Sequence, residues 1–294
     1  MSSRKHSTPK GGSGQRVVAR LLLTLVAYLG LQVVLRYAGA VRGPVVEALG
    51  QWGLTGQEAR FVGSVAATVL MAVVVALYII ASRTKVGDGT KISAKRALGD
   101  YAKGAAVSLV MIGAVVALSV LGGGVRYVGW GRVGVVELVA VMIIGMLNVR
   151  EELLFRGWMM GEMREYLPTW AAVAASSLLF GLAHVFNPHV TALALVNLSL
   201  LGALWALCVL RRGSLWMAMA MHTFWNFAQG KIAGMAVSGG ASTSASLVEF
   251  EGVSGGLWGT GAFGLEGNLA TTIVIVVALI VVVATNPQKK RMIR

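Results

Sequence analysis

Glu151 and Glu152, flanked by Arg150 and Arg156, set two adjacent carboxylates directly after the apolar stretch from Val133 to Leu147. A charge at membrane depth costs upward of about 2.5 kcal/mol, so an ionisable residue there is a functional candidate by default. Further along, His184 closes the run Phe180-Gly181-Leu182-Ala183-His184, and His222 opens the run His222-Thr223-Phe224-Trp225-Asn226. The chain has only 4 histidines, and these two fall inside apolar segments. Carboxylates and imidazoles are the side chains that serve as general bases. Three polar clusters on three hydrophobic helices predict one buried site.

Spacing refines this. Residues four apart share a helix face, so Glu152 and Arg156 can form an ion pair that offsets part of the cost of burying both. Glu151 is turned about 100° away from Glu152 and shares its face with Phe155. The two carboxylates can therefore divide the labour, one structurally paired and the other free. A hairpin turning near Leu167-Pro168 puts Glu151 at the depth of His184. His222 and Asn226 also share a face, but they fit less neatly. His222 lies roughly 15 Å along its helix from the turn at Arg212-Gly213, whereas His184 is close to the turn at Asn187-Pro188. Uniting them requires that turn to lie inside the protein, or strongly tilted helices. Taken singly, each group has a plainer reading: Glu152–Arg156 as a surface ion pair, the histidines as packing residues, Asn187 and His189 as turn residues, Glu137 and Asn148 as helix–helix contacts.

The elements that must position these groups are read from composition. The 294 residues are 56% hydrophobic and only 13% charged, with mean hydropathy +0.73. A soluble domain carries about 25% charge, and apolar runs of roughly 20 residues span a bilayer. The sequence predicts an all-α, polytopic transmembrane bundle of about eight spans: Val17–Leu35, Phe61–Ala81, Ala105–Leu121, Val133–Val149 continuing onward, Trp170–Val185, Thr191–Leu210, Leu215–Ala228 and Leu269–Thr285. The first can alternatively be read as a signal peptide, with Ala38-Gly39-Ala40 resembling a cleavage site; the long basic leader favours an uncleaved anchor. Five stretches follow: a disordered basic tail (1–16), three spans with loops (17–132), the motif-bearing core (133–231), a flexible Gly/Ser-rich outer loop (232–268), and a last span with a basic tail (269–294). Most of the 26 Lys and Arg fall on one side, which the positive-inside rule makes cytoplasmic, together with both termini. The net charge of +14 is thus topology and contact with anionic lipid, not a nucleic-acid face. The single Cys208 excludes an internal disulfide and reads as an apolar filler.

Glu-Glu-x-x-x-Arg, then Phe-x-x-x-His, then His-x-x-x-Asn, in order on successive apolar helices, resembles the CAAX-protease and bacteriocin-processing (CPBP, or Abi) family of intramembrane endopeptidases. The match covers Glu151, Glu152 and Arg156, then Phe180 and His184, then His222 and Asn226, between about Val133 and Lys231. The resemblance implies that Glu151 with His184 activates a water, that His222 and Asn226 stabilise the oxyanion, and that Glu152, Arg156 and Phe180 support them. It implies membrane lipid and a membrane-associated protein or peptide as partners, prenylated CAAX-type or bacteriocin-like, and a place in the cell membrane. No cofactor is required in this reading. A rival keeps the reaction but puts zinc on Glu151, His184 and His222, since one carboxylate and two imidazoles can bind catalytic zinc. A third is a non-hydrolytic transporter or scaffold using the buried charges as an ion relay; against it, the sequence has no inverted repeat and no matched pair of broken helices.

Overall fold

The structure, a computed structural model, describes residues 14–53, 56–81, 92–134, 138, 142, 145, 150–240 and 246–285. Residues 1–13 of the expected tail, Glu137, Asn148 and most of the stretch before Arg150 lie outside the described residues.

The described residues are mostly helical. In chain order they form α1 (Gly14–Ala40), α2 (Arg42–Gln51), α3 (Gly56–Ala81), α4 (Ala94–Leu121) and strand β1 (Val125–Trp130). Next comes α5, a composite of an α turn (Arg150–Glu152), a π segment (Leu153–Met159) and a second α turn (Met160–Met163). Then follow α6 (Thr169–Leu182), α7 (Ala192–Arg212), and α8 (Trp216–Phe227) running on as a π segment (Ala228–Ile232). Strand β2 (Val248–Gly252), a 3₁₀ turn (Leu265–Gly267) and α9 (Leu269–Ala284) complete the chain. Helix starts are set by side chains that accept from otherwise orphaned backbone N–H groups: Ser93 for α4, Thr191 for α7 and Asn268 for α9. Gly213, at φ 61°, ends α7 in the left-handed conformation that glycine adopts without strain.

Of the spans expected from sequence, α4 and α7 are long and apolar enough to cross a membrane, whereas α6 and α9 are shorter apolar helices of 14 and 16 residues. Large apolar side chains cover the outside, among them Leu23 and Val26 of α1, Val110 of α4, Leu178 of α6 and Ile280 of α9. Water would penalise such a surface and lipid does not, which is the character of an integral membrane protein.

Close packing at small residues fixes the core. Gly104 of α4 lies so near the Met217 backbone that a Cβ could not fit, and Ser108 Oγ donates to Met221 O at 2.7 Å, locking α4 to α8. Gly181 plays the same part between α6 and the Leu195 backbone of α7. Asn197 ties α7 to α9, donating to Glu266 O at 2.8 Å and Asn268 O at 2.9 Å, while Asn268 Nδ2 reaches Ser119 Oγ of α4 at 2.7 Å.

Two ends can be told apart. At one, Arg212 bridges Asp100, Arg96 donates to the Arg212 carbonyl, and Arg211 Nη1 reaches Thr285 Oγ1 at 2.6 Å, gathering the start of α4 with the ends of α7 and α9. At the other, β1 and β2 form an antiparallel ribbon with Tyr127 opposite Phe250 and an Arg126–Glu251 ion pair at 2.5 Å. This ribbon departs from the all-α expectation. The alternation Val248-Glu249-Phe250-Glu251 carries a strand period that the surrounding glycine and serine concealed. The described part of the expected flexible loop is packed in part, with Phe263, Leu265 and Glu266 buried and residues 253–257 exposed.

Candidate active site

Helix α5 carries both glutamates at the point where it widens into its π segment. Such segments shift the register of side chains around the axis and recur at functional sites. Glu152 points inward and is fully buried; its Oε1 accepts from Arg156 Nη1 at 2.9 Å and lies 2.9 Å from His222 Nδ1. Glu151 is half-buried, 3.5 Å from Arg150 Nη2, with its Oε2 3.9 Å from His222 Nε2. The division between a paired and a more open carboxylate, expected from helix geometry, is therefore present, though Glu151 keeps Arg150 beside it.

Phe180 sits at the centre of the cluster. Its ring lies under the Arg156 guanidinium, 4.2 Å from Cζ to centroid, and meets His184, Trp205 and His222 edge to face at 5.0, 5.7 and 6.0 Å. The aromatic face attracts a buried cation, which gives the buried Arg156 a second partner beside Glu152. Gly202 permits this approach, since a Cβ there would stand 3.0 Å from Arg156 Nη2.

The ring nitrogens can be assigned by their partners. His184 Nδ1 lies 2.9 Å from the Phe180 carbonyl oxygen, which can only accept, so Nδ1 carries the proton and Nε2 of the neutral ring keeps its lone pair. His222 Nδ1 likewise donates to the Glu152 carboxylate. Its Nε2 can donate to an oxyanion only when the ring carries both protons. The Asn226 amide can donate without any change of protonation.

Glu151, His184, His222 and Asn226 all line one cavity of about 1010 Å³. The structure thus brings together every catalytic candidate read from sequence. The turn after His184 is tied to residues 237–240, with Asn187 Nδ2 donating to Ser238 O at 2.9 Å and Gly239 backing onto the Pro188 carbonyl, but Phe186, Pro188 and His189 stay exposed, so the turn is not inside the protein. Two cavity residues escaped the sequence reading. Trp205 stacks on His222, but an aromatic residue in an apolar helix looks like core filler. Glu266 had one local signal, a lone carboxylate immediately before a long apolar run.

A three-ligand zinc site fits the arrangement poorly. Among the described residues no group of three or more His, Cys, Asp or Glu side chains converges at ligand spacing, although both Nδ1 atoms donate to oxygens and leave Nε2 open, as in a histidine that binds a metal through Nε2.

Comparison with known proteins agrees with the resemblance read from the motifs. Residues 131–228 match the family described as type II CAAX prenyl endopeptidase Rce1-like, a stretch that holds all three motifs. Over that stretch the chain is similar to the CAAX protease (CPBP) family, which supports a membrane endopeptidase in general. No curated protein and no solved structure matches the chain.

Proposed function

We propose that this protein is an intramembrane endopeptidase in which Glu151 activates the attacking water and no metal takes part. The observation that carries the reading is the shared hold of Glu152 on Arg156 and His222 Nδ1, which leaves Glu151 at the cavity, 3.9 Å from the far edge of the same imidazole. Glu151, assisted by the lone pair of His184 Nε2, takes a proton from water as the water oxygen bonds to the scissile carbonyl carbon. The oxyanion so formed is held by the Asn226 amide and by His222. The intermediate collapses with cleavage of the C–N bond, and the proton on Glu151 passes to the leaving amine.

The shape of the cavity supports a membrane-bound substrate. Leu29 and Val33 of α1, Leu182 of α6 and Phe186 just beyond it line the cavity and are also exposed on the apolar exterior. A side opening with an apolar lip admits a lipid chain or a hydrophobic segment without passage through water. A prenylated CAAX-type peptide or a bacteriocin-like peptide has that character, in the cell membrane with both termini cytoplasmic. The test is hydrolysis of a farnesylated fluorogenic peptide and of an unlipidated apolar peptide by protein in nanodiscs, beside Glu151→Gln. Equal release from parent and variant would reject the mechanism.

A further inference from the structure

Glu266 is buried on its 3₁₀ turn and has no step in the hydrolysis described above. Its carboxylate is filled by three donors. Oε1 accepts from Trp225 Nε1 at 3.1 Å, and Oε2 accepts from the Ser238 N–H at 2.9 Å and from Ser238 Oγ at 2.7 Å. A carboxylate so occupied is a poor base and a strong anchor.

What it anchors is informative. Trp225 immediately precedes Asn226, and Asn187, which holds the Ser238 carbonyl, comes three residues after His184. One carboxylate therefore joins α8, which carries His222 and Asn226, to the turn that follows His184, by way of residues 237–240. Those residues are held in a specific shape. Ser238 has φ 46° and Gly239 φ 79°, Gly239 N–H donates to Phe263 O at 3.0 Å, and Val237 and Gly240 exchange backbone hydrogen bonds. A serine in left-handed backbone is uncommon and persists where its surroundings enforce it. Val237, Ser238 and Gly240 face the cavity, as does Glu266 itself. The part of the lining contributed by α1 is largely apolar, with Tyr28, Leu29 and Val33.

We propose that Glu266 is a positioning residue for substrate fit: it clamps residues 237–240 as a rigid wall against which the peptide part of the substrate is placed, while the apolar part lies along α1. This rests on the endopeptidase reading. Small residues and turn backbone make the clamped wall suited to an extended peptide, and the absence of bulk leaves its position, not its side chains, to decide the fit.

The test uses the full chain in nanodiscs, in a Cys208→Ser background, with Val237→Cys as a half-buried reporter of the wall. Glu266→Gln offers an amide N–H₂ or a weaker acceptor to two Ser238 donors, so maleimide labelling at position 237 should accelerate about tenfold. With Val237 intact, KM for the farnesylated fluorogenic peptide should rise about tenfold and kcat change less than about twofold, the signature of lost binding rather than lost chemistry. Ser238→Ala removes one donor and should move both readings in the same direction by less; it decides the matter should Glu266→Gln fail to fold. Unchanged labelling, or a fall in kcat at constant KM, would overturn the proposal. A parent protein that hydrolyses nothing would reject the endopeptidase reading and the substrate role with it, whereas the labelling result would still report on the clamp.

Discussion

The imidazole of His222 lies nearly flat against the indole of Trp205, with centroids 4.5 Å apart and planes 24° apart. The same indole is 5.2 Å from Arg156 Cζ, so one ring supports both groups that Glu152 binds. The stack fixes the plane of His222, and the Glu152 hydrogen bond fixes its rotation. Trp205→Phe keeps a ring but shrinks the face; at about 0.5–1.5 kcal/mol for an aromatic pair, hydrolysis should fall about threefold to tenfold. Trp205→Ala should cost more and lower the thermal midpoint as well. Peptide hydrolysis together with a melting curve separates the two, and a Trp205→Phe variant inactive at parental stability would show a role beyond support.

The two glutamates should respond differently to the same substitution. Glu151→Gln keeps size and removes the base, so it should abolish hydrolysis and leave the fold intact. Glu152→Gln strands buried Arg156 and withdraws the anion facing His222; breaking a buried pair costs about 3–5 kcal/mol, so stability and activity should fall together. Both variants are compared by denaturation in detergent and by turnover. Near-normal turnover in Glu151→Gln would end its assignment as the base.

How much of this was legible in the sequence depended on range. Glu152 and Arg156 are four residues apart on one helix, and local spacing sufficed to pair them. Glu151 and His184 lie on a hairpin, where counting residues from Leu167-Pro168 sets depth. The meeting of His222 with Glu152 was not legible, because it joins two helices across 70 positions; nor was the tie of Asn187 to residues 237–240, some fifty positions further on. Those residues lay in a segment whose glycine and serine content reads as loop. Its order comes from the buried Glu266 carboxylate and from pairing with a strand more than 110 residues earlier, and composition carries neither.

Asn226 separates the metal-free mechanism from its zinc rival. As a neutral oxyanion donor, Asn226→Ala should reduce turnover by about 10²–10³ with little change in KM, the usual loss for one such donor. Chelation should leave the parent active, because Glu151 works as a base in this mechanism and no ligand cluster converges among the described residues. Elemental analysis of active protein beside the chelation series gives the answer; stoichiometric zinc lost in step with activity would establish the rival.

The last prediction concerns the side from which the site is reached. The structure puts the residues around Asn187, Ser238 and Gly240 that border the cavity at the ribbon end: β2 hangs from Lys231 and Ala233 just before them, through Leu247 N to Lys231 O at 2.9 Å and Phe250 N to Ala233 O at 3.3 Å. The gathered basic residues Arg96, Arg211 and Arg212 lie at the opposite end. If the positive-inside rule holds, water and peptide enter from the non-cytoplasmic face, and the apolar part of the substrate enters sideways past Leu29 and Leu182. Single cysteines in a Cys208→Ser background read this directly with an impermeant maleimide on intact cells. Ser254→Cys, beyond β2, should label from outside, whereas Ser93→Cys and Thr169→Cys should label only after the membrane is opened. The reverse pattern would turn the molecule over and give the cavity to cytoplasmic substrates.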